Sequence, residues 1–163
     1  MNLGELLMLW AENGSGGPQM NVLLQQAIER GMKAAKRYNK PLYRGTFVNK
    51  NFINKKTPRI IVTKTLQSWT KDHFTAATYA SSNGPVHSRK PMNAKKIPVI
   101  FVGKEGVSRV KSIDTKKYLG KNSIDETILA RPYFRAHFDK ATIGKYKILE
   151  VPVEFFGSST QSW

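Results

Sequence analysis

Three short segments hold the side-chain types through which this chain could do chemistry. Leu42-Tyr43-Arg44-Gly45 puts an arginine on a strand-like stretch, with glycine directly after it. Leu66-Gln67-Ser68-Trp69-Thr70 runs into a helix ending Ala76-Ala77-Thr78-Tyr79-Ala80. Ser123-Ile124-Asp125-Glu126-Thr127-Ile128-Leu129 sets a carboxylate at the start of an apolar strand. Other reactive sets are missing. The absence of cysteine excludes disulfide scaffolds, thiolate metal sites and a cysteine nucleophile. There is no GxxxxGK(S/T), GxGxxG, HExxH or GxSxG, which removes the common phosphate cradles, a zinc-protease helix and an esterase elbow. His73, His87 and His137 without cysteines make a poor zinc set, so no metal is expected and each histidine reads first as structural. Arginine, hydroxyl and carboxylate chemistry remains.

In their order and context, the three segments resemble the mono-ADP-ribosyltransferases of the arginine–serine–glutamate class, which includes bacterial toxins and phage-injected enzymes. The resemblance spans about residues 40–155. It implies a split, mostly antiparallel β core and NAD as substrate, and it gives each residue a role. Breaking the nicotinamide–ribose bond develops positive charge on the ribose, and a carboxylate beside it stabilises that charge. The resemblance assigns this to Glu126. Arg44 would clamp the NAD phosphates, which a guanidinium fork suits better than an ammonium. Ser68 would orient Glu126 and contact the cofactor, and Thr70 would support the motif or cap the helix. Gly45 would let the nucleotide approach the backbone. Arg89, with Lys90, would cover the diphosphate. Without the resemblance, Arg44 is a surface cation, Ser68 a turn residue and Glu126 a cross-strand ion-pair partner.

The acceptor side departs from the pattern. Relatives carry Glu-x-Glu or Gln-x-Glu, whose first residue engages the acceptor; here that position is Ile124. Tyr118 stands roughly where relatives present an aromatic side chain to the target, and the alternative is that it packs under the turn.

Positioning these residues falls to short elements. Leu3, Leu6, Leu7 and Trp10 follow helical spacing, and Asn13-Gly-Ser-Gly-Gly-Pro18 then breaks the chain. Residues 1–17 therefore read as an appendage helix and glycine-rich hinge, folded back on the body or docked on a partner. Residues 18–163 read as one catalytic domain. A helix is predicted over roughly 18–38. Strands are predicted at Leu42–Phe47, Arg59–Val62, Ile97–Val102, Val107–Ile113, Glu126–Arg131, Tyr133–Phe138 and Tyr146–Phe155. A helix at Lys71–Ala80 interrupts them, capped by Thr70 or Asp72, and 81–96 is a long basic loop. The class is α+β, with helices first and a mostly antiparallel sheet after.

The 163 residues suit one domain of this kind, and 40% hydrophobic content is enough for a core. No apolar run reaches the roughly 20 residues of a membrane-spanning helix. A basic n-region before the first apolar stretch is also lacking. A soluble, cytoplasmic monomer is expected, in the host cytoplasm if phage-encoded. The net charge is +16, from 27 basic and 11 acidic residues. All the basic residues lie between Arg30 and Lys147 with only six acids, so that span carries +21. Such a charge attracts polyanions, which makes nucleic acid or a nucleic-acid-bound protein the expected macromolecular acceptor. The competing class is a basic nucleic-acid-binding or particle-associated structural protein without catalysis.

Overall fold

The structure, a computed structural model, describes residues 2–13, 18–32, 40–81, 95–104, 110–119 and 127–159. Helices α1 (Leu3–Asn13) and α2 (Pro18–Arg30) come first. Pro18 opens α2, where its fixed φ suits the first turn and its missing N–H costs nothing. The helix ends at Arg30 rather than near 38, and residues 33–39 lie outside the described residues. The stripe on α1 is buried within the chain. Leu7 is fully enclosed in a cluster with Ile28, Met32, Leu66 and Ile113, flanked by Leu3, Leu6, Trp10 and Leu24. Asn2 Oδ1 accepts from the Glu5 N–H at 2.9 Å and closes the first turn of α1.

Strands β1 (Leu42–Asn49), β2 (Pro58–Val62), β3 (Gln67–Thr70), β4 (Lys96–Gly103), β5 (Ser112–Asp114), β6 (Thr127–Ala130), β7 (Pro132–His137), β8 (Thr142–Ile143) and β9 (Leu149–Ser158) follow. Three short helices lie between them: α3 (Lys50–Asn54), α4 (His73–Tyr79) and α5 (Thr115–Leu119). The strand order is β2-β7-β9-β4-β1-β3-β6-β5, with β8 on the side of β9. All pairs are antiparallel except β4 with β9. The expected α+β class with a mostly antiparallel sheet is what the chain forms.

Strand β9 ties two half-sheets together. Its first residues, Leu149 to Pro152, pair with β4, and its later ones, from Val153, pair with β7. The strand period of two puts Leu149, Val151, Val153 and Phe155 on one face, of which the last three are buried and Leu149 is partly buried. They meet Leu42, Trp69, Phe101, Phe134 and Phe138 in the main core. Trp69 packs edge-on against Phe134 and Phe155, with ring centroids 5.9 and 5.1 Å away. The predicted start of β9 at Tyr146 is corrected to Leu149, because the chain turns at Lys147, where φ is +59°. The Gly144 N–H bonds to the Ile148 carbonyl at 3.1 Å and closes that turn.

Candidate active site

The site is assembled from three neighbouring strands, β1, β3 and β6. Strand β1 meets β3 at a single position, Tyr43 opposite Thr70. Beyond it the two strands separate, and the Arg44 side chain bridges the gap. Its Nη1 donates to the Ser68 carbonyl oxygen at 3.1 Å. The contact is to the backbone of Ser68, so Arg44 holds the strand that carries the hydroxyl. Burial lowers the Arg44 pKa to about 10, which leaves it charged at neutral pH. Among the described residues no carboxylate pairs with it. A half-buried guanidinium favours a neighbouring anion, whose charge offsets the free energy of burying it.

Thr70 supports the motif. Its Oγ1 accepts from the Asp72 N–H at 3.0 Å, shaping the turn into α4. Asp72 is the N-cap residue, accepting from the Phe74 N–H at 3.3 Å and from the Thr75 hydroxyl at 2.7 Å. These bonds, the Thr75 hydroxyl's above all, lower the Asp72 pKa. On the far side of β3, strand β6 begins with Thr127 opposite Thr70, and Leu129 stands opposite Ser68. The residue that enters β6, Glu126, lies outside the described residues, as do Arg89 and Ile124.

Gly45 has a packing reason of its own, beside the role the resemblance implies. A Cβ built there would run into the backbone carbonyl of Ala76 and come within 2.9 Å of the Ala80 nitrogen. Helix α4 therefore lies directly on β1 at this glycine. The missing side chain admits the helix on that face.

Tyr118 is 43% exposed on α5, with Lys117 Nζ 6.0 Å from its ring centroid. Asp114 leads into this helix, accepting from the Lys116 N–H at 3.1 Å, and it pairs with Lys71 Nζ at 3.7 Å. Lys71 directly follows Thr70, so this ion pair links the end of the Ser68 strand to α5.

Two supporting networks were not visible in the linear pattern. In the first, His73 stacks on Tyr43 with centroids 4.5 Å apart, meets Tyr146 edge-on, and bonds Glu150 at 2.9 Å. This braces the start of α4 against β1 and β9 and gives His73 the structural role expected for a lone histidine. In the second, Arg131, which is 3% exposed, donates to Glu29 Oε2 and to the Thr63 carbonyl, each at 3.1 Å. Gln25 Oε1 accepts from the Leu66 N–H at 2.7 Å, so α2 anchors the residue before β3. Only the absence of basic residues before Arg30 set Glu29's surroundings apart in the sequence.

Among the described residues no group of histidine, aspartate and glutamate is arranged to hold a metal, and no helix is long and apolar enough to cross a membrane. No protein-family profile and no curated protein matches the chain in sequence. Solved structures do match it in shape, and they define its class: the chain has the α+β fold of the toxin-type mono-ADP-ribosyltransferases.

One such structure is the ADP-ribosyltransferase Vis, a toxin from Vibrio splendidus, in complex with the M6 inhibitor. It is similar over 99% of this chain and 76% of its own, with a TM-score of 0.67 and 14% identity. Vis in complex with agmatine aligns over 98% of this chain and 71% of its own, with a TM-score of 0.58 and 14% identity. The C3 exoenzyme of Clostridium limosum aligns over 94% and 84%, with a TM-score of 0.54 and 10% identity.

Proposed function

We infer that this chain is an NAD-dependent mono-ADP-ribosyltransferase acting on a macromolecular acceptor. The observation that carries this reading is Arg44, a half-buried guanidinium that no carboxylate among the described residues pairs with, set next to the single paired position of β1 and β3. Its electrostatics suit the NAD diphosphate. In this reading the glycosidic bond between nicotinamide and ribose breaks, nicotinamide leaves, and an acceptor nucleophile bonds to the ribose carbon as it gives up its proton. Glu126 stabilises the positive charge on the ribose, Ser68 orients Glu126, and Thr70 holds the turn beside them. Arg89 covers the diphosphate. Residues 1–17 form an appendage to one catalytic domain, 18–163, which works as a monomer in the cytoplasm.

The acceptor is nucleic acid or a nucleic-acid-bound protein. Vis is seen with agmatine, a guanidinium compound, but Ile124 gives this chain no acid or amide to orient such a group. The +21 between Arg30 and Lys147 concentrates polyanions instead. A phage enzyme modifying host transcription or translation components fits these features.

Incubating the protein with NAD and measuring nicotinamide release tests the reaction; no release overturns it. Labelled NAD added with a bacterial extract, followed by nuclease or protease, then identifies the acceptor class. Transfer should weaken steeply between about 50 and 200 mM salt, while NAD hydrolysis without acceptor changes little. The competing reading, a nucleic-acid-binding protein without catalysis, predicts salt-sensitive binding and no nicotinamide.

A further inference from the structure

Helix α1 lies against both α2 and α5. Alone, α5 is five residues long, too short to persist in water, so its position comes from its neighbours. Among the described residues those neighbours include α1 and β6. Thr115 is buried, and Ile113, just before α5, sits in the cluster around Leu7 of α1. At the seam, Gly4 of α1 faces the carbonyl of Tyr118: a Cβ on Gly4 would stand 4.0 Å from that oxygen and 3.4 Å from Asn2 Oδ1. Glycine is a poorer helix residue than alanine. Here it leaves room for the backbone of α5 close to α1. Strand β3 is tied by Arg44 at the Ser68 carbonyl and by Gln25 at the Leu66 N–H, and α1 reaches it through Leu66 in the Leu7 cluster rather than through Gly4.

We propose that α1 is a positioning element for the acceptor side of the site: its seam at Gly4 sets α5, and through it Tyr118, while NAD cleavage does not depend on that seam. This rests on the transferase reading, in which the segment from α5 to β6 meets the acceptor.

The test wedges the seam in the full chain. Gly4→Phe should press on the Tyr118 backbone, and Gly4→Ala should fit. In Gly4→Phe, transfer from labelled NAD to macromolecules of a bacterial extract should fall about tenfold or more, since small misplacements of a reacting partner are costly. NAD hydrolysis without acceptor should stay within about twofold of wild type, because the bound cofactor keeps its geometry. Gly4→Ala should match wild type in both. Backbone amides of α5 should exchange faster in Gly4→Phe, with those of β3 unchanged. In a Tyr118→Ala background the wedge should add little, as expected for coupled residues.

Equal loss of hydrolysis and transfer, no loss of either, or unchanged α5 exchange would overturn the proposal. If Gly4→Phe does not fold, the smaller wedge Gly4→Leu is read by the same criteria. Absence of NAD cleavage in the wild type would instead remove the functional reading, and the exchange measurement would still decide whether α1 holds α5.

Discussion

The β1–β3–α4 region and the β5–α5 edge present candidate residues in different ways. In the first, Arg44 reaches across to the Ser68 backbone, Thr70 fixes the turn, Asp72 caps α4, and α4 lies on β1 at Gly45. Nearly every contact is to backbone or to a core neighbour, so the geometry is part of the fold. In the second, Tyr118 stands exposed on a five-residue helix, held by α1, by the Asp114 cap and by a partly exposed ion pair. Chemistry common to many targets belongs on the rigid side, and target choice can vary on the loosely built one.

The largest effect should come from the carboxylate that enters β6. Glu126→Gln keeps the shape and removes the charge, so nicotinamide release should fall on the order of 100- to 1,000-fold, as for loss of one electrostatic stabiliser. NAD affinity and melting temperature should barely move. If instead Asp125→Asn abolishes turnover and Glu126→Gln does not, the reactive carboxylate sits one residue earlier.

Arg44→Lys probes the rigid side next. Lysine keeps the charge but not the fork, and it cannot match the reach to Ser68. Apparent NAD affinity should weaken by about tenfold, equivalent to 1.4 kcal/mol. An unchanged NAD titration would show that this cation does not touch the cofactor.

Much of the rigid side was legible in the sequence, and little of the edge was. The alternation of Val151, Val153 and Phe155, the Pro18 start of α2 and the alanine-rich helix after Thr70 are periodic signals, and the structure follows them. Strand β3 was harder to read, because four residues with one large apolar side chain, Trp69, carry no alternation of their own. Helix α3 is also short, and it is set by the Asn49 side chain accepting from the Asn51 N–H at 2.9 Å, a cap without an apolar stripe. Strand β5 was placed at Val107–Ile113 and is Ser112–Asp114 in the structure, with 105–109 outside the described residues. The Arg131–Glu29 pair joins residues 102 positions apart, beyond any local pattern.

Gly45 has a packing role that no local pattern signals, and it gives the third prediction. Gly45→Ala places a methyl group against the Ala76 carbonyl, which belongs to backbone and cannot rotate away. Helix α4 must shift, at a cost of about 1–3 kcal/mol, and thermal melting should drop by several degrees. A nucleotide-facing glycine would behave differently, with NAD affinity falling at unchanged melting temperature. That outcome would support the cofactor role.

The smallest effect should come from the edge. Asp114→Asn keeps the oxygen that accepts from the Lys116 N–H, so the cap on α5 survives, and it removes only the charge facing Lys71 at 3.7 Å. Partly exposed pairs of this kind are worth about 0.2–1 kcal/mol, so the melting temperature should scarcely change. The link from Thr70 through Lys71 to α5 is loosened all the same, and transfer to acceptor should fall about twofold at low salt, within the reach of such a pair. Raising the salt screens the wild-type pair too, so the two proteins should converge as the ionic strength climbs. NAD hydrolysis without acceptor should be equal in both throughout. A loss of hydrolysis in Asp114→Asn would mean that the edge reaches into the cofactor site, and the contrast between the two regions would fail.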